Sequence, residues 1–374
     1  WSVTVSADEL SMYISSGRDA FANIDVYLAT RPSLADPFST PQLVPELNSP
    51  SDLGLDRRHE FWVLFVGVVD AVWPHDLTGL QIPMALVGMA AFFGATVRSV
   101  DLDDDGMDPV KLERLLSGLE AAGQLRKVKI VYVVSYHQNP TGITLSDERR
   151  PQLYDIVKKY SERSGQRIVL IEDAAYRELT YDGNPPRSIK SYDTENQYVA
   201  LCQTFSKPFA PGLKTGYGLL PEGLVEPVKL SKGGRDFGSS NFCHHVLHRA
   251  MQTGAFRKHI ELLRKAYAEK LKATHDALEE HLGGVDGVSW TRANGGMYVW
   301  LTLPESIDTT AQGPLFGRSI EEGVLFVPGV YCYPTDPTRK APTNTIRLAV
   351  GVPTVDQIRE GIARLARAIE HVQA

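Results

Sequence analysis

The 374-residue chain has only three cysteines, Cys202, Cys243 and Cys332, far apart and odd in number. That argues against a disulfide framework and a clustered zinc site, and points to a reducing compartment. It has no excess of positive charge: 39 Lys and Arg stand against 45 Asp and Glu, a formal net charge of −6. Nucleic acid is therefore not expected as a partner. Repeats and low-complexity tracts are lacking. A content of 43% hydrophobic and 22% charged residues excludes disorder as a description of the whole chain. The opening WSVTVSADEL has no basic stretch followed by an apolar run, so no secretory signal is expected there. Long uncharged runs are scarce as well. Residues 77–97 form one that is long enough to cross a bilayer, but it holds Gln81, Pro83 and three glycines and has no second run to match. A buried helix of an α/β core is the expected reading, and no membrane partner is expected.

Residues 1–58 carry Pro32, Pro37, Pro41, Pro45 and Pro50 and read as an extended arm with short helical pieces. Residues 60–72 are apolar and rich in β-branched and aromatic types. Residues 95–102 read as a strand ending in an acidic turn. A helix over 109–119 follows, with Val110, Leu112, Leu115 and Leu116 on one face. Then come a strand over 127–134, a helix over 146–163 capped by Ser146, and strands over 167–171, 198–201 and 216–220. This alternation predicts a largely parallel sheet covered on both faces. Residues 239–281 read as mostly helix, broken near Gly254. Beyond them, strands over 288–290, 297–301, 325–327 and 345–350 mix with helices over 310–322 and 355–373. The division expected is a large cofactor-binding domain over 50–260 and a small α+β domain made of 1–49, with the N-terminal arm, and 261–374.

Functional residues of a parallel sheet collect beyond the carboxyl ends of its strands. Three strand ends here are chemically unusual. After KVKIVYVV comes SYHQNPTG, in which Asn139-Pro140 and Thr141-Gly142 make a tight turn. After RIVLI comes EDAAYR. A carboxylate such as Asp173 at the end of an apolar strand is costly unless it meets a cation, although a lone Asp there also serves as a helix N-cap. After residues 199–201 comes TFSKP. Lys207 in such a loop suits a Schiff-base nucleophile, and Thr204, Ser206 and the Lys214 cation suit a phosphate. An amine, a carboxylate, an amide and a phosphate clamp together form the set that pyridoxal 5'-phosphate requires.

The segments NPTG (139–142), EDAAYREL (172–179), TFSKPFAPGLKTGYGLLP (204–221), NGGMYVWLTLP (294–304), GVLFVPG (323–329) and TIRLAVG (345–351) occur in that order. On these, from about residue 95 to the end, the chain resembles the class I and II aminotransferases, pyridoxal-phosphate enzymes of fold type I. It is most similar to the branch of 2-aminoadipate and aromatic aminotransferases. The resemblance implies an α/β fold with a mostly parallel seven-stranded sheet covered by helices, plus a smaller α+β domain. It implies amino transfer between an L-amino acid and a 2-oxo acid by a ping-pong cycle, in a cytoplasmic homodimer with a shared active site. Carried over by position, Lys207 forms the Schiff base with the cofactor and moves a proton during catalysis. Asp173 faces the pyridine nitrogen, and Tyr176 and Asn139 contact the ring oxygen. Arg347, with Asn139, grips the substrate α-carboxylate. Thr204, Ser206 and Lys214 contact the phosphate.

Two departures stand out. The family usually has arginine where this chain has Lys214, so cofactor affinity is expected to be lower. The N-terminal quarter matches poorly. The family's phosphate-cradling turn, Thr-x-Gly-x-Gln opening a helix, has its nearest counterpart in LTGLQ at 77–81. Gly79, Leu80 and Gln81 are therefore the expected phosphate contacts there, with a helix over 82–93 behind them. Trp73 is a candidate for the aromatic that stacks on the ring, and Tyr13, Tyr136 and Phe237 for an apolar side-chain pocket. Two other functions share the same residues. One is elimination, decarboxylation or oxidation of an amino acid. The other is a non-catalytic sensor domain, disfavoured because the first 60 residues show no helix-turn-helix pattern or basic cluster.

Overall fold

A computed structural model describes residues 95–373 except Thr335, with Arg235 and Asp236 as backbone only, together with the backbone of five strands within residues 1–94. Residues 1–60 and 61–374 are two compact units. In the first, β1 (Ser2–Val5), β2 (Ser11–Gly17), β3 (Ile24–Thr30) and β4 (Gln42–Leu43) pair in that order as an antiparallel sheet. This corrects the expectation of an arm with helical pieces. The β-branched and aromatic residues of SMYISSG and IDVYLAT favour pairing, and the five prolines all fall outside the paired residues.

The second unit begins with β5 (Trp62–Val66) and β6 (Thr96–Val100), then the short hairpin β7 (Leu102–Asp103) and β8 (Gly106–Met107). Helix α1 (Pro109–Ala121) starts where the Asp108 carboxylate accepts from the N–H groups of Val110 and Lys111, with Pro109 in the first turn. After β9 (Val128–Val134) comes α2 (Arg149–Ser164), ended by Gly165 at φ +67°. Ser146 is not its cap, contrary to expectation. The Ser146 N–H is drawn to Asp105 O (3.0 Å), and the helix begins three residues later. β10 (Val169–Asp173), β11 (Val199–Thr204) and β12 (Gly216–Leu219) follow. Helix α3 (Glu222–Asp236) forms despite Pro227 and Gly233-Gly234, which hid it in the sequence. Helices α4 (Asn241–Gln252) and α5 (Ala255–Leu282) are separated at Gly254, φ +75°, where a break was expected. The chain closes with β13 (Ser289–Trp290), β14 (Tyr298–Thr302), α6 (Pro314–Glu321), β15 (Val327–Pro328), β16 (Thr345–Ala349) and α7 (Val355–Gln373).

The main sheet runs β12-β11-β10-β9-β5-β6, parallel except for β12. It counts six strands among the described residues, where seven were expected. One apolar core lies between this sheet and α1 and α2, around Val131, Val133, Leu112, Leu116 and Leu153. A second joins α5, α7, β14 and β16, around Leu278, Leu301, Ile346 and Leu365. Between them lies a layer rich in tyrosine, with Tyr132, Tyr176, Tyr298 and Trp300. Among the described residues no helix is long and apolar enough to cross a membrane. Most of the uncharged run at 77–97 lies outside the described residues.

Candidate active site

Because β9, β10 and β11 are neighbours and parallel, their carboxyl ends come together. Asp173 pairs in register with Val134 on one side and Cys202 on the other. Asp173 is the last residue of β10, Asn139 follows β9 in a buried loop, and Lys207 follows β11. The three strand ends singled out in the sequence thus deliver their polar residues to one edge of the sheet, the position where parallel sheets place ligands.

Asp173 is held in a fixed orientation. Its Oδ2 accepts from Tyr132 Oη at 2.6 Å, and its Oδ1 from Ala175 N at 3.0 Å. Its charge is felt by the neighbouring Cys202, whose thiol is pushed up to about 11, first by burial and then by Asp173. Lys207 is half-buried, with Nζ 5.5 Å from the centroid of the Tyr176 ring. Tyr176 is buried and meets Tyr298 edge-on at 5.8 Å.

Arg347 sits in the middle of β16, in register with Trp300 and Val327. Its Nη1 donates to Asn139 Oδ1 at 2.9 Å, joining residues 208 positions apart, and its guanidinium lies 4.9 Å from the Tyr298 ring centroid. Arg347 Nε is buried and has no hydrogen-bond partner among the described residues. A buried N–H of a charged group left unpaired is costly, and it suits an anionic ligand. The loop that brings Asn139 here needs glycine at 142. Its φ is +73°, and a Cβ would stand 2.6 Å from Tyr298 O and from Ala293 Cβ.

The expected phosphate contacts divide. Thr204 Oγ1 donates to Thr215 O and accepts from Ser206 N, so its hydroxyl is taken up by the turn. Ser206 is half-buried and Lys214 is exposed, at φ +50°. Gly79, Leu80, Gln81 and Trp73 lie outside the described residues, as does the side chain of Tyr13. Tyr136 is not a pocket wall. Its ring is fully buried beneath the Arg150 guanidinium (4.4 Å), and its hydroxyl donates to Pro186 O. Phe237 lies exposed at the end of α3.

Beneath the site is a second polar cluster that the sequence reading passed over. Arg150 and Glu172 are both fully buried and form an ion pair at 3.4 Å. Tyr132, Tyr298 and this pair are the missed residues. The available signal was a tyrosine or charge interrupting an otherwise apolar strand or amphipathic helix. His137, in the same loop as Asn139, is also buried. Its ring nitrogens lie 3.1 Å from Thr144 Oγ1 and 2.9 Å from Thr180 Oγ1. Burial, aided by the positive Arg150, pulls its pKa down to about 4.

Residues 88–365 match the family of class I and II aminotransferases. An aromatic-amino-acid aminotransferase 1 of Thermococcus litoralis is 34% identical over 299 residues, 79% of this chain and 67% of that relative. A 2-aminoadipate transaminase of Thermus thermophilus is 31% identical over 300 residues, 79% of this chain and 70% of that relative. The structure of Pyrococcus horikoshii kynurenine aminotransferase, in complex with PMP, matches with a TM-score of 0.73 and 32% identity over 85% of this chain and 72% of its own. The chain belongs to the class I and II aminotransferases, and it is a pyridoxal-phosphate-dependent enzyme of amino-group transfer. The donor set fits that cofactor: a lysine amine, an oriented carboxylate, a buried amide, and an unpaired buried guanidinium N–H for a second anion.

Proposed function

We propose that this site transfers the amino group of an L-amino acid to a 2-oxo acid, and that aromatic side chains are preferred. The observation that carries the reading is Arg347, which gives one N–H to Asn139 while keeping Nε buried and unpaired among the described residues. A substrate α-carboxylate supplies the missing acceptor, and a planar guanidinium binds it with a two-pronged geometry that lysine lacks. Pyridoxal phosphate, when bound, supplies an electron sink for the bonds to the donor Cα. Asp173, kept oriented by Tyr132 and Ala175, would hold a proton on the pyridine nitrogen. Lys207 Nζ would anchor the cofactor and, once the donor amine has displaced it, would carry the proton from the donor Cα to the cofactor carbon that bore the lysine. Asn139 and Tyr176 would hold the ring oxygen, and Ser206 and Lys214 would hold the phosphate, with Thr204 shaping their turn.

The preference for aromatic donors is supported by relatives named for aromatic amino acids and kynurenine. We place the chain in the cytoplasm as a homodimer, with the large domain over 50–260. Exposed Tyr217, Leu219, Leu230, Phe237 and Phe242 on β12, α3 and α4 form apolar surface of the kind a partner subunit covers. The test is the visible spectrum of the purified enzyme as single amino acids are added. Phenylalanine or tyrosine is expected to bleach the band and yield the pyridoxamine form without an oxo acid. Bleaching by acidic donors alone contradicts the aromatic preference. Ammonia or carbon dioxide release, with no pyridoxamine form, contradicts transamination.

A further inference from the structure

We propose that Arg150 is a positioning residue for this reaction. It acts through the loop 135–145, holding Asn139 against Arg347, and Glu172 fixes Arg150 in turn. This rests on the reading of the site given above. Arg150 stands in the first turn of α2, directly under the loop. A guanidinium has five N–H groups, and all five are used. Nε donates to Leu145 O at 3.2 Å. Nη2 donates to Leu145 O at 2.9 Å and to Ser135 O at 2.7 Å. Nη1 donates to Glu172 Oε1 at 3.4 Å and to Arg187 O at 3.1 Å. Two of those acceptors, Ser135 and Leu145, are the two ends of the loop, and they also bond to each other.

Glu172 is filled in the same way. Oε1 accepts from Arg150 and from Ser135 Oγ (2.9 Å). Oε2 accepts from Ser188 Oγ and from Lys190 N (3.1 Å). Glu172 precedes Asp173 on β10, and Ser135 N donates to Asp173 O at 3.1 Å. The cluster therefore ties the base of the Asn139 loop to the strand that bears Asp173. Above that base the loop is closed by its own bonds, Gly142 N to Gln138 O and Thr141 Oγ1 to Gln138 Oε1. A shift at Ser135 or Leu145 is carried to Asn139 as a rigid displacement, and misplacement by an ångström can cost about a hundredfold in rate.

A buried ion pair can be exchanged for apolar residues of similar volume with little loss of folding, whereas losing one partner leaves a buried charge. That separates positioning from stability. In the double variant Arg150→Met/Glu172→Leu, the melting temperature is expected to fall less than in Arg150→Met, because no charge is left buried without its counter-ion, and the borohydride-fixed cofactor to remain on Lys207. The KM for the amino donor is expected to rise about tenfold or more, with kcat changing less. The pH midpoint of the visible band is expected to move by about half a unit or more, because Asn139 no longer holds the ring oxygen. Arg150→Lys keeps the charge but cannot bridge Ser135 O, Leu145 O and Glu172 with the same fork. It should show the same changes at smaller size, and it serves if the double variant does not fold. A folded, labelled variant with wild-type KM and pH midpoint overturns the inference. A wild-type enzyme that takes no label on Lys207 overturns the site reading beneath it, and this inference with it.

Discussion

Two buried arginines lie on either side of the Asn139 loop, and they differ in one respect. Below it, every N–H of Arg150 is matched by an acceptor within the chain. Above it, Arg347 has one donor to Asn139 and a buried Nε with no partner among the described residues. A saturated polar cluster in a low-dielectric interior holds its parts in one arrangement, while an unsaturated one retains a binding demand that a ligand can meet. At this loop the contrast distinguishes an arginine that holds the scaffold from one that keeps a donor for a ligand.

The largest expected effects test that contrast directly. Arg150→Met leaves the Glu172 charge buried without its counter-ion, and should lower unfolding stability by about 3–5 kcal/mol, measured by denaturant titration. Arg347→Met should cost much less stability but reduce kcat/KM for amino donors by about a hundredfold, near 3 kcal/mol of binding to the carboxylate. If the two variants lose stability equally and catalysis equally, the distinction fails.

A smaller effect concerns His137, wedged between Thr144 and Thr180 in the same loop. Its folded pKa is depressed from 6.5 to about 4. The unfolded chain therefore takes up a proton below pH 6.5 while the folded chain does not until about pH 4. Stability must fall as pH drops across that window, by about 3 kcal/mol in total, and level off below it. In His137→Gln that part of the acid slope should vanish from urea titrations run between pH 7 and 4. An unchanged slope would mean that His137 protonates freely in the folded protein.

The smallest expected effect is at Lys214, which is exposed. Lys214→Arg supplies a fork for phosphate and should tighten pyridoxal phosphate binding a few-fold, about 1 kcal/mol or less, by equilibrium titration of the apoenzyme. Weaker binding would place the phosphate elsewhere.

The part of the site borne on β9, β10 and β11 was legible because each strand is a short apolar run, and the polar residues follow at its end. Parallel neighbours then bring those ends together without further information. The Arg347–Asn139 contact was not legible from spacing, since it spans 208 positions and depends on how two cores pack. Nor was the Arg150–Glu172 pair, because an arginine at a helix start and a glutamate at a strand end each have ordinary solvated readings. Helix α3 was hidden by Pro227 and two glycines, and the N-terminal meander by prolines that turned out to flank its strands. In the meander the strands' own β-branched and aromatic residues agree with the pairing, and the prolines only punctuate the segments between them.

The most direct test of the account is to load the wild-type protein with pyridoxal phosphate, reduce it with borohydride, digest it and locate the added mass. The phosphopyridoxyl group is expected on the peptide containing Lys207 and absent from Lys207→Ala. A label on Lys214 or another lysine, or no label at all, would contradict it.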